Sequence, residues 1–168
     1  AIFLSIILST LKQEEQTRAI QTHDVFEIAN KTLPYFRSGL TEQSARSVAE
    51  IILKLMNVSA VAITNRTDIL THVGAASDHH VAKKAIITDL SKEVIKTGHL
   101  KEAHSKEEIG CNNPNCSLTS AIVIPLMINQ EVAGTLKFYF TNEYENTTST
   151  KQLARGLADI FLSLIHIS

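Results

Sequence analysis

The sequence predicts an α+β sandwich, with a mostly antiparallel central sheet flanked by helices and a long helix ahead of it. Three observations carry this. Residues 58–64 with 69–73, and 121–128 with 131–140, are paired apolar segments joined by short polar turns, and each pair reads as a β-hairpin. Around them, apolar residues recur at spacings of three and four, the signature of helices with one buried face. The resulting order is helix, helix, hairpin, helix, strand, hairpin, helix, which is that of an α+β domain.

Each element has its own grounds. In the first helix Thr22, Val25, Phe26, Ala29, Leu33 and Phe36 fall on one face. The stretch 12–18 before them is polar nearly all round, as in a helix that bridges solvent or pairs with a partner. Pro34 is expected to kink or break this helix and Gly39 to terminate it. Thr41 caps a second helix, with Glu42 near the positive dipole end and an apolar stripe of Ala45, Val48, Ala49, Ile52, Leu53 and Met56.

The strand 58–64 is apolar at both parities, so both its faces should be covered. Asn65, Arg66, Thr67 and Asp68 form its turn, and the return strand ends at Gly74. A helix around 87–97 turns Leu90, Val94 and Ile95 inward and is closed by Gly98, and 101–104 is a short strand. Residues 105–118 read as a loop. The second hairpin turns on Asn129 and Gln130. In its second strand Val132, Gly134, Leu136, Phe138 and Phe140 alternate with Ala133, Thr135, Lys137 and Tyr139, which predicts one buried and one wetter face. Residues 141–149 are a loop, and a closing helix over 150–161 points Leu153, Leu157 and Ile160 inward.

The composition narrows the function. With 44% hydrophobic residues, 168 residues can build a full core. The net charge of −1, without a basic stripe, and 5% aromatics without Trp argue against nucleic acid as a partner. Two cysteines in one polar loop are no secreted disulfide framework, which fits a reducing compartment. The ends stand apart. Residues 1–11 are apolar, too short to span a bilayer, and read as the end of a truncated transmembrane helix. Lys12 and Arg18 favour a cytoplasmic continuation. Residues 162–168 read as the in-frame translation of a sequencing adapter, and His166 is given no role.

Four blocks go further than the fold order. Residues 28–40 (IANKTLPYFRSGL), 72–80 (HVGAASDHH), 109–116 (IGCNNPNC) and 132–140 (VAGTLKFYF) occur in sequence without large gaps. Over roughly 20–161 the chain resembles the GAF domain of LytS-type sensor histidine kinases. Ser117 stands where a proline is expected, and Ala76 where the family often has glycine, which restrains the exit from the first hairpin. The resemblance implies a GAF/PAS-like sandwich at 41–161, a helical signalling linker at 12–40 and a membrane helix ending at residue 11. It also implies a parent at the plasma membrane with this domain on the cytoplasmic side, dimerised through the linker helices. A kinase core on the same chain would hold ATP and signal to a LytTR-type response regulator in cell-envelope, autolysis or pyruvate-related responses. The chain itself carries no Gly-rich nucleotide lid, no asparagine box and no phosphoacceptor histidine, so no catalytic residue is assigned.

In such a sandwich, residues 72–80 and the loop at 105–118 are expected on the ligand-binding side of the sheet. His72, Ser77, Asp78, His79, His80, Cys111 and Cys116 are the candidate ligand-binding residues, with His104, Thr119 and Lys137 as further lining. Three readings of the cysteines stay open. Two thiolates with His79 and His80 can hold zinc. The pair, with four residues between them, can close a disulfide if the Cα atoms approach to about 5.5 Å. Or both pack as small hydrophobes while Asp78 caps a turn at His79 and His80. For the whole domain, a ligand-sensing relay stands against a dimerisation spacer without a sensing role. A soluble Cys–His enzyme lacks an oxyanion hole and an orienting group.

Overall fold

The structure is a computed structural model that describes residues 1–37, 39–82, 88–141 and 147–163, with side chains omitted at 17–22, 162 and 163. Thr22 as part of the apolar stripe, residue 87 as a helix start, most of the loop at 141–149 and the adapter-like 164–168 fall outside it.

Helix α1 (Ile2–Arg37) has 36 residues, about 54 Å at 1.5 Å per residue. Its apolar first turns, including Ile2, Phe3, Leu4 and Ile6, are exposed. No helix among the described residues is long and apolar enough to cross a membrane. From Val25 onward α1 buries Val25, Ile28, Ala29, Thr32 and Phe36. That stripe corrects the expected one: Phe26 is 56% exposed, and Ile28 and Thr32 take the inner positions. Thr32 is tolerated there because its hydroxyl donates to the Ile28 carbonyl at 2.8 Å. Pro34 does not break the helix, which continues to Arg37. Both Pro34 and Asn30 lie on the exposed side, where the carbonyl that proline leaves unpaired can be hydrated.

Helix α2 (Glu42–Leu55) starts on a reciprocal cap. The Thr41 hydroxyl accepts from the Ser44 amide at 3.1 Å, and the Ser44 hydroxyl accepts from the Thr41 amide at 2.9 Å. Thr41→Ala is expected to cost about 1 kcal/mol, and Thr41→Ser to restore most of it. Denaturant midpoints of the three proteins check this; equal midpoints for Thr41→Ala and the parent would show the cap to be idle.

The sheet comprises β1 (Ala60–Asn65), β2 (Ile69–Gly74), β3 (Lys101–Ala103), β4 (Ser120–Ile128) and β5 (Glu131–Phe140). Its order is β2-β1-β5-β4-β3, with every neighbouring pair antiparallel. At the β4–β5 turn Asn129 and Gln130 take φ of +51° and +70°, the left-handed pair that matches strand twist. Helices α3 (Asp89–Thr97), α4 (Lys106–Ile109) and α5 (Thr148–Ser163) complete the chain. The single turn α4 lies inside the stretch expected to be loop. Ser105 caps it at the Glu108 amide, and Gly110 closes it at φ +85°.

Strand alternation sorts the core into two layers. One face of the sheet, with Val61, Ile63, Ile122, Ile124, Leu136, Phe138 and Phe140, packs under α1, α2 and α5. Phe36 of α1 meets Phe161 of α5 edge-on, ring centroids 6.1 Å apart. The other face, with Ala60, Ala62, Ala121 and Tyr139, packs under Ile109, Cys116, Leu118 and the partly buried Ala75, Ala76 and Leu90. The expectation of a wetter face on β5 is therefore corrected. Thr135, Lys137 and Tyr139 are all buried, because α3 packs on β5, with its cap Thr88 accepting from Lys137, and the turn after β2 and the segment around α4 cover Tyr139.

Candidate functional site

The covered second face is where the chemistry collects. On β1, Ala60 and Ala62 stand between Gly74 and His72 of β2 on one side and Tyr139 and Lys137 of β5 on the other. Two alanines flanked by large polar side chains leave a trough in the sheet. Beside it, the hydroxyls of Thr64 and Thr135 bond at 2.8 Å.

Two segments wall the trough. After Gly74 the chain makes a turn through Ala76, which takes φ +61°, and the His80 amide bonds the Ala76 carbonyl at 2.9 Å. A β-carbon there is strained, so this turn fits a position where glycine is often found. Opposite, the capped α4 ends at Gly110, and the Cys111 amide reaches back to the Lys106 carbonyl at 3.1 Å. The Asn113 carbonyl then accepts from the Cys116 amide at 3.1 Å, which folds the second cysteine under the first. Between the walls lies a cleft of about 230 Å³ that His79, His80, Thr88, Cys111, Asn113, Lys137 and Tyr139 help to line.

The metal-binding atoms of His79, His80, Cys111 and Cys116 all lie within 4.8 Å of one another. His80 Nε2 is 3.4 Å from Cys116 Sγ. His79 Nδ1 lies 3.0 Å from Asp78 Oδ2, yet neither ring nitrogen, both buried, has an aligned hydrogen-bond partner among the described residues. His80 stacks on His72 with ring centroids 5.0 Å apart, and His72 Nε2 contacts the Ala75 carbonyl at 2.8 Å.

The electrostatics are uneven. Burial pushes His80 down to about 4, helped by His72, His79 and Lys137. Burial also lowers His72. The adjoining Asp78 carboxylate instead holds His79 above its ordinary value. Burial opposes ionisation of Cys111, but the Asn113 backbone, Cys116 and His79 outweigh it and bring the thiol below its usual value. Cys116, more enclosed, is pushed up by burial. Cys111 is thus the member of the pair that ionises first, and thiolate character sets both nucleophilicity and metal affinity.

Of the residues singled out in the sequence, His79, His80, Cys111 and Cys116 come together, with His72 stacked behind them. Asp78 touches the group through His79 but is itself exposed. Ser77 is not brought to the group: it is exposed, and its hydroxyl bonds the Gly74 carbonyl outside the cleft. His104 and Thr119 also lie apart from the cluster. His104 is exposed beside Glu102, and Thr119 bonds the Phe140 carbonyl away from the cleft. Both cysteines are free thiols.

Tyr139 and Thr88 were missed, although both line the cleft beside Lys137. The available signal was a lysine between Leu136 and Phe138 in a strand with apolar neighbours on either side.

No family model matches the chain. It is 97% identical over 167 residues, 99% of its length, to the sensor protein LytS of Staphylococcus haemolyticus, of which that match is 29%. It is 59% identical over the same length to the sensor histidine kinase/phosphatase LytS of Staphylococcus aureus, again 29% of that protein. The chain thus spans less than a third of these relatives. Among solved structures, the GAF domain of A. aeolicus nlh2 superposes with a TM-score of 0.58 at 15% identity, covering 87% of this chain and 96% of that one. The fRMsr of Staphylococcus aureus superposes at 0.57 and 9% identity, over 84% and 95%. At such identities these two speak for the fold alone. Taken with the near-identity to LytS, they make this chain a segment of the LytS sensor-protein family, folded as a GAF domain.

Proposed function

We propose that this segment is the sensory relay of a two-component histidine kinase, and that the cleft between the turn at 75–80 and the loop at 110–116 is its receiving site. The observation that carries the reading is the division of β5. Lys137 and Tyr139 face the cleft, while Leu136, Phe138 and Phe140 face the core under α1, α2 and α5. A change of packing at one face therefore has only one strand to cross before it reaches the helices. α1 and α5 lie side by side in that core, where a β-carbon on Gly156 would stand 2.8 Å from Val25. They are suited to carry a shift into and out of the domain.

In the whole protein, α1 would continue from a plasma-membrane helix and pair with its counterpart in a dimer. The domain would lie on the cytoplasmic side, and α5 would lead to an ATP-binding kinase core that phosphorylates a LytTR-type response regulator. The names of the relatives and the exposed apolar start of α1 support this arrangement. A ligand shifts such an equilibrium only through a difference in affinity between its two states.

Replacing Cys111 and Cys116 by Ser and His79 by Ala together, in the full-length kinase, is expected to change phosphoryl transfer to its regulator by about fivefold or more, the usual lower range of coupling between sites. An unchanged response, with the triple variant folded, would leave the domain a dimerisation spacer.

A further inference from the structure

We propose that His79, His80, Cys111 and Cys116 form a tetrahedral site for a single zinc ion. The proposal names the occupant of the receiving cleft and rests on that reading. Zinc accepts thiolate sulfur at about 2.3 Å and imidazole nitrogen at about 2.0 Å, so its four ligand atoms sit roughly 3.3–3.8 Å apart. Here the four donors already lie within 4.8 Å of one another, and His80 Nε2 and Cys116 Sγ are 3.4 Å apart. Closing the widest pair takes a shift of about 1 Å or less at each donor.

The donor types select the ion. Two sulfurs with two imidazoles suit zinc and disfavour magnesium and calcium, which take oxygen. Packing of the cysteines as small hydrophobes leaves the histidines unexplained, since both His79 ring nitrogens are buried without a hydrogen bond. A cation at Nε2, with the Asp78 carboxylate brought into line at Nδ1, accounts for them. With Asp78 at Nδ1, His79 is left to coordinate through Nε2, a carboxylate–histidine–metal arrangement that fixes the tautomer and ring orientation. His80 is held by its stack on His72. Binding releases to solvent whatever protons the two thiols and His79 Nε2 still carry, leaving a site of no net charge from two thiolates, two neutral imidazoles and one dication. The ligands come from both walls of the cleft, so the ion would tie the turn after β2 to the loop after α4 and close the cleft over Tyr139.

The test uses the 168-residue chain, reduced and freed of metal with a chelator, then titrated with Co²⁺ and back-titrated with Zn²⁺. One Co²⁺ per chain is expected, with thiolate-to-cobalt charge transfer and tetrahedral ligand-field bands, both bleached by one equivalent of Zn²⁺. Cys111→Ser or Cys116→Ser should weaken Zn²⁺ binding beyond the roughly 100-fold that loss of an outer-shell partner produces. Asp78→Asn should keep the bands and weaken binding about ten- to 100-fold. Asp78 is exposed, so this variant is informative even if a cysteine variant fails to fold. The group of His23, Asp24 and Glu27, of which His23 is exposed, is the control, and His23→Gln should change nothing. The proposal is overturned if the reduced chain binds no metal, if cobalt shows octahedral bands without charge transfer, or if uptake survives loss of both cysteines. Uptake is read on the chain alone and kinase output in the intact protein, so this assignment and the receiving-site reading fail separately.

Discussion

Gly134→Ala is expected to destabilise the domain by about 3 kcal/mol or more, over half the stability of a protein near the lower end of the ordinary range of about 5–15 kcal/mol. Gly134 pairs with Asn65 where β5 runs beside β1. A β-carbon built there would stand 1.8 Å from the Thr64 carbonyl oxygen and 2.9 Å from the Asn65 Cα. Both obstacles are backbone in an interior strand, so no rotamer change relieves them. The strands would have to separate, and with them the Thr64–Thr135 hydroxyl pair and the fully buried Leu136 and Phe138. Gly39→Ala is the control. That glycine has φ +101° but nothing within 4 Å of a β-carbon, so only the backbone cost of about 1–2 kcal/mol applies. Urea unfolding of the two variants separates the cases. Near-equal losses would mean that β1 and β5 can part locally without cost.

That contrast shows what was legible in the sequence. The hairpins were readable because period-2 alternation and the Asn129–Gln130 turn are local properties, and β5 (Glu131–Phe140) falls where they placed it. The close approach at Gly134 is tertiary, and a glycine among apolar alternants does not announce it. The same limit explains the face of β5 misjudged as wetter. Alternation assigns Lys137 and Tyr139 to one face, but whether that face meets water depends on how α3 and the segments at 75–80 and 105–118 fold back over it. Helix α4 was too short for any periodicity, although Ser105, Glu108 and Gly110 were its cap signals in plain view. His104 and Thr119 were drawn into the site by closeness in sequence to the cysteine loop, and each is held elsewhere by a neighbour, Glu102 and Phe140. His79, His80, Cys111 and Cys116 could be grouped from sequence because their donor chemistry and the resemblance pointed the same way. The 4.8 Å spread of their donor atoms could not be read there.

Lys137→Met is expected to stabilise the domain by about 2 kcal/mol at pH 7, and this advantage should vanish as the pH rises. Lys137 is 3% exposed, and no carboxylate among the described residues lies within ion-pair distance. Its ammonium donates to Thr88 Oγ1 at 3.2 Å, and burial lowers its pKa from 10.5 to about 8. A depression of that size corresponds to about 3 kcal/mol of penalty on the charged form. Methionine fills similar space without the charge. It forfeits one hydrogen bond worth about 1 kcal/mol, but leaves the Thr88 hydroxyl satisfied by Ser91. The sign with pH follows from proton counting. Below about 8 both the folded and unfolded states hold the lysine proton, and the penalty is complete. Between about 8 and 10.5 the unfolded chain binds more protons than the folded one, so the stability of the parent rises with pH while that of the variant gains nothing from this group. Urea midpoints at pH 7 and near pH 10.5 should therefore converge, and groups common to both proteins cancel in the difference. A loss of stability for Lys137→Met at pH 7 would show that the ammonium has a partner stronger than Thr88.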